Sequence, residues 1–271
     1  MPEFGLIHYN YPGTLEEFLA FAKEEGFQCT ELLYSDIWNY RKGETFEEAM
    51  EKAPKVRRLL DEYGIRASSV SPANDFIQMD EVALKVQVDR MEKFCRLAEI
   101  LGTRLLRIDG GSPKPEVPED RALYIDLIAK GLEMCRPFIE KEGFSFALDN
   151  HGLVTNDADL QVEILTKVGS ANIGANLDTM NYRWAGHDLD KVARFYETIA
   201  PYVKHTHFKD GIGKRGEYQG KALGEGEVPL EHAVKCLKAA GYSGPWLVEY
   251  EGKTEHQAGF RKGLQWLKAH V

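Results

Sequence analysis

Cysteine is scarce in this sequence. Four residues in 271 (Cys29, Cys95, Cys135 and Cys236) are scattered, with no CxxC pair and no close-spaced framework. That argues against a disulfide scaffold and suits reduced thiols in the cytoplasm, mostly as small core residues. Long apolar runs are missing too: no window approaches the ~20 residues needed to span a bilayer. The start, MPEFGLIHYN, lacks the basic region and apolar stretch of a signal peptide, so a cytoplasmic protein with no membrane partner is expected. Positive charge is in deficit, with Lys+Arg 34 against Asp+Glu 43 and a formal net charge of −9. Such a surface argues against nucleic acid or anionic membrane as the main partner, although a local basic cleft is compatible with it. Nucleotide signatures are also missing, since no GxGxxG follows the first strand-like run and there is no P-loop. Hydrophobic residues at 43% and charged residues at 28% lie near the globular average, so disorder is not indicated.

What the sequence does contain is alternation. Strand-like runs at Phe4–His8, Phe27–Leu33, Ile65–Ser71, Thr103–Ile108, from Phe144, Ile173–Asp178, Val203–Phe208 and Pro245–Tyr250 are separated by helical patterns. Capping boxes are predicted at Thr14-x-x-Glu17, Thr45-x-x-Glu48 and Thr254-x-x-Gln257, and Asp188 is expected to cap a helix over Leu189–Ile199. Pro54 is expected to bend or break the second long helix, and Pro229 suits the first turn of a late one. About eight βα units with no linker predict one domain over 1–271, a parallel sheet closed as a (β/α)8 TIM barrel.

In such a barrel the active face lies at the C-terminal strand ends. Four runs end on a residue that can ligate a metal: FSFALDNHG (144–152) with Asp149, NIGANLD with Asp178, VKHTHF with His207 and WLVE with Glu249. By strand alternation Ser145, Ala147 and Asp149 share a face, as do Gly174, Asn176 and Asp178, and His205 points with His207. An acid after a strand is often a helix cap, and a strand histidine is often a core residue. Four at matching ends of successive strands instead predict a site. Three carboxylates and an imidazole form a hard donor set that suits Mn²⁺, Mg²⁺ or Co²⁺ better than a structural zinc.

Those residues resemble the xylose-isomerase-like barrel superfamily of sugar isomerases, epimerases and related lyases. The resemblance covers nearly the whole chain. It rests on ALDNHG (147–152), NLDTMN (176–181), HTHFKD (205–210), LGEGEV (223–228) and LVEY (247–250). It implies metal ligation by Asp149, Asp178, His207 and Glu249, with Mn²⁺ foremost and Mg²⁺, Co²⁺ or Zn²⁺ as alternatives. It also implies a small-molecule carbohydrate substrate, and leaves the oligomeric state open, a homo-oligomer included. The implied chemistry is isomerisation or epimerisation next to a carbonyl, the metal stabilising enediolate charge and Glu249 and Asp149 serving as the acid/base pair. A lyase or dehydratase using the same enediolate logic is the alternative. A zinc phosphodiesterase on abasic DNA, found in a distant branch, needs extra histidines and a basic groove; the limited spare histidines and acidic surface of this chain argue against it. Two departures stand out: Asp149 replaces the usual glutamate, one methylene longer, and Asn181, counted among the substrate-binding residues, replaces a histidine found in several sugar epimerases.

Further polar residues fall on the same face. His151 reads as a hydroxyl-binding or proton-shuttling group, or as a loop cap. Glu31 and Arg107 have interior parity and would grip substrate oxygens or form a salt bridge. Lys209 would orient Glu249 or touch substrate, or stand as an exposed loop charge; His8 would line the pocket or fill the lower barrel. The glycine-rich segment 211–226 is a candidate lid or an ordered turn. Trp38, Phe76 and Trp184 would give a sugar an apolar platform or pack beneath their loops.

Overall fold

Each short apolar run feeds an amphipathic helix, and together they close on themselves. The computed structural model describes residues 2–271. Its barrel strands are β1 (Phe4–Ile7), β2 (Cys29–Leu33), β3 (Arg66–Ser71), β4 (Leu105–Ile108), β5 (Ser145–Asp149), β6 (Ile173–Asp178), β7 (Val203–Phe208) and β10 (Trp246–Val248). They pair in parallel in the closed order β1-β10-β7-β6-β5-β4-β3-β2. A small antiparallel hairpin, β8 (Asp210–Ile212) and β9 (Gln219–Lys221), lies in the loop after β7. The expected (β/α)8 barrel is therefore the observed fold.

Around the barrel run α1 (Leu15–Glu25), α3 (Phe46–Tyr63), α4 (Glu81–Leu101), α5 (Arg121–Glu142), α6 (Ala158–Val168), α8 (Leu189–Ile199), α9 (Leu230–Ala239) and α10 (His256–His270). Two short turns, α2 (Tyr34–Ile37) and α7 (Asn181–Trp184), sit above strand ends. Phe144, Phe146 and Leu148 are fully buried in the layer between strands and helices, as their outward parity requires. Gly131 on α5 leaves room for the Phe76 ring, because a Cβ there would stand 2.5 Å from Cδ1 of Phe76.

Local signals succeed where they are self-contained. Thr14 and Thr45 form the predicted capping boxes. The Thr254 box is not formed. Glu255, at φ 54, precedes α10 without a side-chain cap, and the Gln257 amide donates instead to the Tyr11 hydroxyl at 3.0 Å. Asp188 precedes α8 but its carboxylate makes no capping bond. Pro54 neither ends nor breaks α3, which runs on to Tyr63; the carbonyl losing its helical donor belongs to Met50, which is exposed at 36%. Pro229 stands at the N-cap of α9, one residue before its first turn.

Two register shifts shape the interior. Between β2 and β3, Thr30 pairs with Ala67 and Glu31 with Ser69, leaving Ser68 as an extra residue. Between β6 and β7, Ala175 pairs with Val203 and Asn176 with His205, leaving Lys204 extra. Each is a bulge that resets the alternation, so that Glu31 and Ser69, and Asn176 and His205, meet inside the barrel.

Candidate metal centre

The middle of the barrel holds a polar layer rather than an apolar one. Glu31 is fully buried. Its Oε2 accepts from Ser69 Oγ at 2.8 Å and lies 3.0 Å from Nε2 of His207, while Oε1 lies 3.3 Å from Nε of Arg107. Burial opposes its ionisation, but His207 and Arg107 prevail and hold its carboxyl down to about 2. His205 bridges Oδ1 of Asn176 at 2.9 Å and Oγ of Ser69 at 3.1 Å, and burial pushes its imidazole down to about 3. The Glu31–Arg107 ion pair is thus present, with Glu31 beneath the cavity floor and Arg107 in its lining.

Above that layer stand the strand ends. His207 is aimed by Glu31 through Nε2, which leaves Nδ1 facing Oε2 of Glu249 at 3.2 Å. Burial works against its charge, yet these two carboxylates raise the imidazole to about 10. Asp178 uses Oδ1 to accept the backbone N–H groups of Met180, at 2.8 Å, and Asn181, at 3.0 Å. Its Oδ2 is buried without a hydrogen bond: Nζ of Lys209 approaches to 2.9 Å, close enough for charge attraction but out of line for a bond. Burial pushes the Asp178 carboxyl up to about 7 against the pull of Lys209. Burial also disfavours the Glu249 anion, but Lys209 and His207 outweigh it and hold that carboxyl far below the usual range.

Asp178, His207 and Glu249 each offer a ligand atom, and these atoms lie within 4.8 Å of one another. The group fits a divalent cation, because it combines an unbonded buried oxygen with one imidazole nitrogen and a second carboxylate on a cavity wall. The His207 nitrogen facing the cation would be oriented by Glu31 on its far side, as ligating histidines commonly are. Glu31, His205 and His207 are equally close together. In that group, however, Glu31 and His205 are committed to bonds within the barrel and do not line the cavity.

Asp149 stands apart from both groups. Its register partner is Asn176, two residues before Asp178 on the same strand. Its Oδ1 accepts from Nδ2 of Asn176 at 2.6 Å, and Oδ2 lies 3.4 Å from Nη1 of Arg107. The missing methylene leaves this carboxylate within reach of the middle layer.

Neighbouring strand ends are tied by paired bonds between side chain and backbone. Asn150 donates to the carbonyl of Asp178 at 2.9 Å and accepts its N–H at 2.8 Å. Thr179 donates to the carbonyl of Lys209 at 2.6 Å and accepts its N–H at 2.9 Å. Asn74 makes the same reciprocal pair with the backbone of Asp109. Two of the ties thus fix the backbone that presents Asp178 and Lys209.

A cavity of 330 Å³ opens over these residues, and Arg107, Asp149, His151, Asp178, His207 and Glu249 belong to its lining. His151 is exposed at the rim. Lys209 is buried at 3% exposure, not a free loop charge, and its Nζ also lies 3.4 Å from Glu249 and 3.5 Å from Glu251. Asn181 lies outside the lining, its backbone donating to Asp178 and its Nδ2 buried without a partner among the described residues. His8 lies outside it as well; its Nδ1 is 2.9 Å from Asp36 and its ring packs 4.5 Å from Phe18. Of the two readings for the loop aromatics, packing holds for Trp38 and Phe76, which are buried in the core; Trp184 is outside the lining, whereas Tyr9 and Tyr34 form part of it. Sequence reasoning missed these tyrosines with Arg41, Asn74 and Asp109, although Tyr34 directly follows a strand end and Asp109 does too. The glycine-rich loop is ordered: the Asp210 carboxylate accepts the N–H groups of Gly211, Gly224 and Gly226 at 2.8, 2.9 and 3.0 Å.

Known proteins share this architecture. An L-ribulose 3-epimerase structure superposes with a TM-score of 0.78 over 100% of this chain and 94% of that one, at 16% identity. The IOLI protein, solved with a bound zinc atom, gives 0.75 over 96% and 93% at 16% identity. In sequence, the L-ribulose-5-phosphate 3-epimerase UlaE of Escherichia coli is 33% identical over 72 residues, a match spanning 26% of this chain and 25% of that protein. The family model described as "Xylose isomerase-like TIM barrel" matches residues 19–270, and the chain belongs to that family.

Proposed function

We propose that this protein is a divalent-metal-dependent isomerase or epimerase of a sugar or keto-sugar, working by proton transfer at the carbon next to a carbonyl. One observation carries the reading: the buried Asp178 Oδ2, 2.9 Å from the Lys209 ammonium, has no hydrogen bond among the described residues and shares a cavity wall with His207 Nδ1 and a Glu249 oxygen. The epimerases among the relatives support the substrate class.

Asp178, His207 and Glu249 would hold the cation, with Asp149 a further ligand or solely an acid/base group. The oxygen-rich set favours Mn²⁺, with Mg²⁺, Co²⁺ and Zn²⁺ as alternatives. When bound, the cation supplies Lewis-acid polarisation of the carbonyl oxygen. Glu249 and Asp149 then exchange the proton on opposite sides of the substrate, and Lys209 keeps Glu249 in place. Arg107 and His151 meet substrate hydroxyls from the cavity wall and rim.

The test is a panel of ketoses, aldoses and keto-glycosides incubated with Mn²⁺-loaded protein in D₂O and followed by NMR. Deuterium entering next to the carbonyl, with a new epimer or isomer, is the expected result. Loss of water or aglycone would move the reaction to a lyase. No exchange with any substrate and no divalent metal bound would end the proposal.

A further inference from the structure

The opposite mouth of the barrel contains a second polar cavity, of 540 Å³, which is larger than the one over the strand ends. Both extra residues created by the register shifts, Ser68 and Lys204, line it. A bulge commonly re-aims a side chain, and here two of them bring polar groups to the same place. Ser68 is 4% exposed, and its Oγ is buried without a hydrogen-bond partner among the described residues. The Lys204 stem lies against Gly174, where a Cβ would stand 2.8 Å from its Cγ, so the glycine makes room for it.

Charge in this cavity is unbalanced. Arg66 donates Nε and Nη2 to Glu3, at 3.0 and 2.5 Å, and Nη1 to the carbonyl of Ala67 at 3.0 Å, while Arg104 donates Nη2 to Glu99 and Nη1 to the carbonyl of Glu142, each at 2.5 Å. Both arginines keep unused N–H groups, since a guanidinium carries five. No carboxylate among the described residues forms an ion pair with Lys204, whose ammonium group is lowered by burial alone. A half-buried cation without a counter-ion, a buried hydroxyl without a partner and two arginines with spare donors all call for an acceptor-rich anion. The volume suits a small molecule.

We propose that this N-terminal mouth binds a small oxyanion, a phosphate or carboxylate group of a metabolite, through Lys204 Nζ and the remaining N–H groups of Arg66 and Arg104, with Ser68 Oγ turned toward it about χ1. The site is separate from the metal centre and does not depend on the reaction proposed for it.

Calorimetric titration with inorganic phosphate and with succinate, at ionic strength fixed with sodium chloride, tests this directly. One equivalent of at least one probe should bind, and the tighter of the two identifies the anionic group. Lys204→Gln should weaken that binding on the order of 10-fold or more, since it removes a charged hydrogen bond. Ser68→Ala should weaken it by roughly 3- to 10-fold, and Lys204→Arg should preserve it. Circular dichroism confirms that each variant is folded, and Ser68→Ala carries the test alone if the lysine variants are not. No binding of either probe, or binding unchanged in the folded variants, would overturn the proposal; the latter would place the anion elsewhere, including in the catalytic cavity.

Discussion

Glu249 lies between an ammonium and an imidazole, 3.4 Å from Lys209 Nζ and 3.2 Å from His207 Nδ1. Asp149 lies between an amide and a guanidinium. Two carboxylates held so differently suit different halves of one proton transfer. Replacing Glu249 by Gln should lower turnover by about 10²- to 10⁴-fold, the usual contribution of a positioned acid or base. Asp149→Asn separates the roles further: deuterium should still enter the starting sugar from the Glu249 side while the rate of inversion or isomer formation collapses. NMR of the recovered substrate distinguishes the two, and full turnover in either variant would remove that residue from the pair. The cysteines allow a simpler measurement. Cys29, Cys95 and Cys135 are buried, and burial raises their thiols, whereas Cys236 is partly accessible beside His232. A thiol reagent should label Cys236 alone in the folded protein and all four cysteines after denaturation.

At the scale of elements, the strand ends keep their spacing because paired bonds tie one end to the next. Removing the Asn150 side chain strands the buried N–H and C=O of Asp178, at roughly 1–3 kcal/mol for each polar group left unpaired. Asn150→Ala should therefore lower the melting temperature by several degrees and weaken metal binding in parallel, although Asn150 touches no proposed ligand atom. Unchanged melting and unchanged affinity would show that the tie is redundant. The sequence signalled the elements well where the cause was local: Ile173–Asp178, Val203–Phe208 and Leu189–Ile199 appear with the predicted bounds. Parity placed Asp178 and His207 on one wall for the same reason, since side-chain alternation is a property of the strand itself. The bulges at Ser68 and Lys204 had no such signature, because register depends on two strands at once. The unformed Thr254 cap and the continuous helix through Pro54 are likewise decided by the surroundings, not by the local pattern. The separation of Asp149 from the other three was foreshadowed by its short side chain, but its bond to Asn176 needed the register of β5 on β6.

Across the whole molecule, the barrel interior is short of positive charge. Glu31, Asp149, Asp178 and Glu249 are all buried there, facing two permanent cations, Arg107 and Lys209. His207 is held protonated by Glu31 and Glu249 and must give up that proton to ligate. With its imidazole neutral, the remaining deficit matches a dication in sign and size, and a fold that closes around these acids is stabilised by whatever cation it binds. At a free metal concentration 100 times the dissociation constant, that linkage amounts to about 2.7 kcal/mol. For a chain somewhat above 250 residues, this corresponds to a rise in melting temperature of roughly 5 °C. Protein stripped with EDTA, freed of chelator and reloaded with Mn²⁺ should show that rise by calorimetry or circular dichroism. The Asp178→Asn variant should melt at one temperature with or without the metal, because it neutralises the carboxylate whose second oxygen is unbonded. Equal melting of stripped and reloaded wild-type protein would mean that the three side chains do not hold a cation, and the assignment of Asp178, His207 and Glu249 as ligands would fall with it.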